Sequence, residues 1–80
     1  MPRYHFHIRE NGILREDAEG EEFEDIEHAT EEAVRAAREL LAEKVAAGAL
    51  IDGQVFEITD ELGSIVQKVS FRSVLRLKDE

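Results

Sequence analysis

Two histidines near the N-terminus are the residues best suited to chemistry. His5 and His7 lie two positions apart in a segment where apolar and polar residues alternate. Because side chains at positions i and i+2 of a β-strand point to the same side, both imidazoles could bind one metal ion or small ligand. A third metal ligand would have to come from elsewhere in the chain, and no fixed spacing supplies it: Glu57, Asp60 or His28. Binding through His5 and His7 is therefore an alternative hypothesis, and no cofactor is predicted.

Carboxylates form the second group with chemical potential. Residues 16–32 contain ten acids and no Lys or Arg. General acid–base catalysis needs carboxyl groups held in a pocket with separated pKa values, whereas these acids lie in a turn and at the start of a predicted helix. Capping and solvation explain acids in such places. The chain also lacks a nucleophile elbow and a glycine-rich phosphate loop, so we predict that it is not an enzyme.

The chain as a whole is short and acidic. Its 80 residues carry a net charge of −9 and no cysteine, which fits one domain spanning residues 1–80 without disulfides or a cysteine zinc site. A negative field repels nucleic-acid phosphates and favours a basic protein partner. No apolar run approaches about 18 residues and no signal-peptide pattern is present, so we expect a cytoplasmic protein outside the membrane. The thin core of so short a chain favours a homodimer.

One long helix, predicted over residues 25–47, organises the chain. Asp25 is the expected N-cap and Gly48 the expected left-handed residue after the helix. Glu31 precedes Arg35 by the four residues of a helical ion pair. Apolar residues recur at helical spacing and define one buried stripe: Ile26, Ala29, Ala33, Ala36, Ala37, Leu40, Leu41 and Val45. The outer face supplies the candidates for contact with a protein partner: Glu27, Glu31, Glu32, Arg35 and Glu39.

Two predicted β-hairpins flank this helix. Residues 3–9 alternate between apolar and polar side chains, and Asn11-Gly12 is a strong signal for a two-residue turn. Residues 54–59 and 64–71 form the second pair of strands, joined by a loop that ends in glycine. The tail, residues 72–80, is expected to extend the last strand or form a short helical turn, and to be less ordered than the rest.

The order β-β-α-β-β predicts an α+β fold, in which a four-stranded, mainly antiparallel sheet carries the long helix on one face. Tyr4, Phe6 and Ile8 would face the helix, and strict alternation would place Ile65 and Val69 there too. Nothing in the chain covers the opposite sheet face, which we expect to receive a second subunit. The polar side chains predicted on that open face are His5, His7, Arg9, Arg15, Glu57 and Lys68.

Several short motifs occur together along the chain. They are MPRYHFHIRENG at residues 1–12, the Asp17-x-Glu19-Gly20 turn, Ala29-x-x-x-Ala33 with Ala37-Arg38-Glu39, and Ile58-Thr59-Asp60-Glu61-x-Gly63. Together they resemble a family of small bacterial proteins classed as a domain of unknown function, over nearly the whole chain up to Phe71. The resemblance implies a stand-alone cytoplasmic bacterial protein and brings no activity or site residues with it.

A looser resemblance covers residues 4–45. A strand, a hairpin, the acidic Asp-x-Glu-Gly turn and a Thr-Glu-Glu-Ala helix start are similar to antitoxins of the Hic toxin–antitoxin class. Those antitoxins use a degraded RNase H-like fold to cover a small basic toxin. The resemblance implies a basic protein partner.

These observations favour a non-enzymatic, acidic protein-interaction module that is homodimeric and binds a protein partner. One alternative is an antitoxin-like or nucleic-acid-mimicking inhibitor of a basic protein, which would use the acids of residues 16–32. The other is the metal or small-ligand protein built on the two histidines. Binding of nucleic acid is not expected, because the aromatic residues of the predicted sheet point toward the helix.

Overall fold

Five β-strands and one α-helix make up the part of the chain that the structure describes. The structure is a computed structural model and describes residues 1–48 and 53–74. The elements in chain order are β1 (Arg3–Glu10), β2 (Ile13–Arg15), β3 (Glu21–Glu22), α1 (Ile26–Ala46), β4 (Val55–Thr59) and β5 (Ile65–Ser70), followed by a 3₁₀ turn (Phe71–Val74). The expected short helical turn of the tail is therefore present up to Val74, and residues 75–80 lie outside the described residues.

The sheet is antiparallel at every pairing of the described strands. Its order is β2-β1-β4-β5, and the two-residue strand β3 pairs with the start of β1. The predicted α+β class and the β-β-α-β-β arrangement are confirmed, with β3 as an addition that no periodicity in Glu21-Glu22 could reveal. The turn after β1 is the predicted one, since Asn11 and Gly12 have φ values of 55° and 75°.

The helix begins and ends where the sequence predicts. The Asp25 carboxylate accepts a hydrogen bond of 2.9 Å from the backbone N–H of His28, which makes Asp25 the N-cap. Gly48 follows the C-cap residue Ala47 with a φ of 73°, and its N–H donates to the carbonyl of Val45. In the part of the chain that the structure describes, no helix is long and apolar enough to cross a bilayer.

An alanine stripe brings the helix close to the sheet. Ala29, Ala33 and Ala37 are fully buried, and Leu41 is nearly so. The helix lies nearest to β4, β5 and the 3₁₀ turn, so the helix side of β1 is only partly covered. Aromatic and aliphatic side chains in similar number fill the remaining core, which contains Tyr4, Phe56, Ile58, Val69, Phe71 and Val74. The prediction for Val45 is wrong, because this residue lies in the last turn of α1 and is 61% exposed.

Two further side chains lie on faces that the sequence did not predict. Arg15 pairs with Ile8, whose side chain packs toward the core, so Arg15 is on the helix side and lines a hollow with Leu40. Ile65 pairs with Thr59 because a β-bulge shifts the register of β5 by one residue. The bulge ends strict alternation and turns Ile65 to the open face, since paired residues of a sheet share a side.

Candidate functional site

The open sheet face brings together the polar residues that the sequence placed there, with the exception of Arg15. His7, Glu57 and Lys68 are cross-strand neighbours in the middle of this face. Arg9 lies on the same side of β1, two residues closer than His7 to the Asn11-Gly12 turn. The open face is therefore a continuous polar surface built on β1, β4 and β5.

Glu57 is the buried centre of this surface. Only 7% of the residue is exposed, and its carboxylate accepts a 2.7 Å hydrogen bond from Arg9 Nε. That hydrogen bond is the main reason why the pKa of Glu57 lies below its ordinary value. Burial acts in the opposite direction, and the charges of Arg9 and Lys68 add to the lowering. A charged carboxylate in the middle of a sheet face therefore keeps its negative charge across the neutral range.

His5 and His7 are joined by a single residue, Asp17. The two rings stack with centroids 5.9 Å apart, and both Nδ1 atoms face the backbone of Asp17. His5 Nδ1 lies 2.7 Å from the Asp17 carbonyl oxygen, and the Asp17 N–H donates to His7 Nδ1 over 3.0 Å. Thus one histidine holds each end of the same residue's backbone.

These contacts fix the proton positions on both rings. A carbonyl oxygen only accepts hydrogen bonds, so His5 must carry its proton on Nδ1. A backbone N–H only donates, so His7 must have a lone pair on Nδ1 and its proton on Nε2, where Thr59 Oγ1 lies 3.3 Å away. His7 therefore has no lone pair left for a metal ion in this arrangement, and the pair is a structural clamp on the loop.

The Asp17 carboxylate completes the clamp. Its two oxygens accept hydrogen bonds of 3.1 Å from the backbone N–H groups of Phe6 and Gly20. Burial raises the pKa of Asp17, but the N–H donors of Phe6, Gly20 and Glu19, together with nearby His5, outweigh it and leave the pKa below its ordinary value. Asp17 thereby occupies the edge of β1 between the segments that pair with β2 and β3.

Gly20 is required at the end of this loop. Its φ is 68°, and a Cβ atom there would lie 2.8 Å from the carbonyl oxygen of Tyr4 and 2.9 Å from the His5 ring. Any side chain would collide with the strand. The acidic Asp-x-Glu-Gly turn therefore packs directly against β1. The sequence predicted this segment only as a turn. The Asp-x-x-Gly spacing is the sequence signal for the hydrogen bond between Asp17 and Gly20. The hydrogen bonds from His5 and His7 to Asp17 depend on tertiary contacts that local spacing does not reveal.

A shallow hollow of about 260 Å³ lies beside the clamp, between the loop after β2 and the hairpin loop that joins β4 to β5. Its polar lining comprises His5, His7, Glu16, Asp17, Thr59, Asp60 and Glu61. Within residues 1–48 and 53–74, no three histidine or carboxylate side chains are arranged to hold a metal ion, and no buried side-chain polar atom lacks a hydrogen-bond partner. Capping accounts for Asp60, whose carboxylate accepts from the N–H groups of Leu62 and Ser64.

The outer face of α1 displays the predicted interaction candidates, with one change in pairing. Glu27, Glu31 and Glu39 are exposed. Arg35 forms its ion pair with Glu32, three residues earlier, and not with Glu31. The hydrogen bond and charge of Glu32 raise the pKa of Arg35. Most of the acids on this face therefore remain open to solvent.

Exposed apolar side chains are concentrated on the second hairpin. Leu62, Ile65 and Val66 are 90%, 51% and 42% exposed, and we call these three residues the hairpin patch. Glu61 lies before the patch and Lys68 after it, both exposed. Neither charge lies in an ion pair with another described residue at 4 Å or less. The hairpin thus combines an apolar centre with two ends of opposite charge.

Comparison with known proteins identifies the family and no closer relative. Neither the curated proteins nor the solved structures include a significant match to this chain. The family model described as "Domain of unknown function (DUF6894)" matches residues 3–72, which include β1 to β5, α1 and the start of the 3₁₀ turn. The chain therefore belongs to this family of unknown function, as the sequence motifs indicated.

Proposed function

We propose that this protein is a non-enzymatic protein-interaction module that acts as a homodimer through the open side of its sheet. The observation that carries the proposal is the hairpin patch: three large apolar side chains are exposed on one hairpin of a chain whose net charge is −9. Scattered single apolar residues are ordinary on protein surfaces, but several on one hairpin beside an uncovered sheet face are typical of a contact surface.

The polar residues of the open face support a binding role and not a catalytic one. His5, His7 and Asp17 use their polar groups to hold the loop, and the charged Glu57 forms an ion pair with Arg9. A general acid or base must be able to reach a substrate proton, and a nucleophile needs an adjacent base. Since these side chains are committed to one another, the surface is suited to rigid recognition.

The outer face of α1 would serve a different partner. It lies on the far side of the molecule from the open sheet face, so a dimer leaves it accessible. Its exposed acids, Glu27, Glu31 and Glu39, provide a negative surface that fits a basic protein. An inhibitor of a basic protein would use the same surface.

Measurement of mass in solution tests the homodimer. Sedimentation equilibrium from about 10 µM to 1 mM should show a monomer–dimer equilibrium, because small interfaces give weak association. Ile65→Lys should shift this equilibrium to the monomer. Ile13→Lys is the matched control, since Ile13 is 66% exposed and pairs with Glu10, which lies on the helix side near Lys44. A wild-type protein that stays monomeric throughout would refute the proposal.

Capture from cells tests the basic partner. Wild-type protein and a Glu27→Lys, Glu31→Lys, Glu39→Lys variant would be used as baits, with mass spectrometry as the readout. We expect the wild type to retain a basic protein that the variant loses and that high salt releases. Failure to recover any protein reproducibly with the wild type would remove this part of the proposal.

A further inference from the structure

We propose that the occupant of the hairpin patch is the same patch of a second copy, turned by a two-fold axis so that Glu61 of each chain meets Lys68 of the partner subunit. This inference rests on the homodimer proposed above and specifies its geometry.

The sequence of the second hairpin is suited to such a pairing. Glu61 lies in the hairpin loop and Lys68 in β5, so Ile65 and Val66 come between them along the chain. A two-fold axis through the patch exchanges the two charged positions, as an isologous interface requires. The apolar residues of the patch lie between the charges and would be covered at the centre of the interface.

Charge selects a second copy over other partners. The patch carries an exposed acid at one end and an exposed base at the other, so a partner of uniform charge would meet repulsion at one end. A second copy in antiparallel orientation places opposite charges together at both ends. In parallel orientation it would place Lys68 on Lys68 and Glu61 on Glu61, which is unfavourable.

The contact would use side chains and not a continuous backbone ladder. β5 is an edge strand, but the register shift between Ile58 and Thr59 places a bulge at Val66, and Lys68 projects nearby. Bulges and charged residues are the features that prevent edge strands from pairing with other chains. The bulge also turns Ile65 to the open face, where it is available to a second copy.

Charge reversals separate this specific pairing from simple repulsion between two acidic chains. Lys68→Glu makes the net charge two units more negative and Glu61→Lys makes it two units less negative. If only net charge matters, the first variant weakens the dimer and the second strengthens it. If the proposed pairs form, both variants weaken it, since each creates like-charge contacts at both ends.

The decisive experiment is a double-mutant cycle measured by sedimentation equilibrium at low salt. We expect each single reversal to raise the dimer dissociation constant about tenfold, because two exposed ion pairs are lost in each dimer. The double variant Glu61→Lys, Lys68→Glu should return to within about threefold of the wild type, since it restores both pairs with the original net charge. Arg38→Glu and Glu39→Lys are matched controls on α1, and thermal melting would verify that every variant is folded.

The outcomes distinguish the two proposals. Restoration in the double variant supports the paired geometry. A wild-type dimer whose double variant is no better than the single variants overturns this geometry while the homodimer stands. A wild-type protein that remains monomeric at about 1 mM overturns both, whether the patch then binds a different protein or none.

Discussion

Replacement of Gly20 by alanine is the sharpest test of the loop clamp. Gly20 has a φ of 68°, and its missing Cβ would lie 2.8 Å from the backbone oxygen of Tyr4. Two costs therefore arise from one methyl group. The left-handed conformation costs a residue with a side chain about 1–2 kcal/mol. The collision then forces the loop away from a strand that cannot yield, because the nearest atom belongs to its backbone.

The second cost can be estimated from the hydrogen bonds around the loop. A Cβ atom in ordinary contact lies at least 3.4 Å from its neighbours, so the loop must retreat by roughly half an ångström or more. Such a shift strains the bonds from Gly20 and Phe6 to the Asp17 carboxylate, which are already 3.1 Å long. Hydrogen bonds of this kind contribute about 0.5–1.5 kcal/mol each. We therefore expect Gly20→Ala to lower the free energy of unfolding by about 2–4 kcal/mol.

Gly12→Ala is the matched control for this substitution. Gly12 has a similar φ of 75°, but a Cβ there would meet nothing within 4 Å. The control therefore includes the conformational cost, about 1–2 kcal/mol, and the entropy change of the unfolded chain that any glycine-to-alanine change brings. The difference between the two variants isolates the contact with Tyr4.

Urea unfolding followed by circular dichroism measures both variants. An 80-residue domain has a stability of about 4–12 kcal/mol, so a loss of 2–4 kcal/mol moves the midpoint clearly. The m-value should stay constant if the native state keeps its compactness. Equal destabilisation by Gly20→Ala and Gly12→Ala would refute the close packing of the loop on β1.

Three further predictions concern charge and packing. Asp17→Ala should cost about 1–3 kcal/mol, because the N–H groups of two other residues lose their acceptor. Because the pKa of Asp17 is lowered in the folded protein, the contribution of this carboxylate to stability is present above the ordinary carboxyl pKa of about 3.9. This contribution is lost as pH falls through the lowered pKa. The stability of Asp17→Ala should therefore change less than that of the wild type as the pH is lowered. The hydrogen bond and charge of Asp25 raise the pKa of His28, so this pair stabilises the helix fully below about pH 6.5. The stabilisation is lost as pH rises through the raised pKa. His28→Ala should abolish this pH dependence in thermal melts recorded from about pH 5 to 9. Leu41→Asp should cost more than about 3 kcal/mol, whereas Val45→Asp should cost less than about 1 kcal/mol, and similar losses in thermal melts would mean that the helix faces are misassigned.

Local patterns in the sequence were sufficient to predict most of the elements. The helix and its Asp25 cap follow from spacing within one turn, and the Asn11-Gly12 turn follows from its own backbone preference. The strand order β2-β1-β4-β5 was not predictable, because β1 pairs with β4 across an intervening helix. The bulge in β5 was equally hidden, since one extra residue leaves the composition of a strand unchanged.

The site was harder to predict than the elements. Sequence placed Glu57 on the open face correctly, but its ion pair requires Arg9 from a different hairpin, 48 residues away. The exposed apolar residues of β5 are visible in the sequence, yet the sheet face on which Ile65 lies depends on the bulge. Properties that require two distant segments to meet are not encoded in local periodicity.

The two features with the most chemical potential in the sequence, the histidine pair and the acidic turn, prove to be one structural unit. His5 donates a hydrogen bond to the Asp17 carbonyl oxygen, and His7 accepts one from the Asp17 N–H. The Asp17 carboxylate accepts from Phe6 N–H on the edge of β1, where a longer β2 would otherwise pair. A loop whose backbone and side chain are both satisfied in this way has little polar capacity left for a substrate. Among the described residues, exposed charges and apolar groups that take no part in this unit occur on the hairpin patch and on the outer face of α1, and these are the two surfaces that we propose for other molecules.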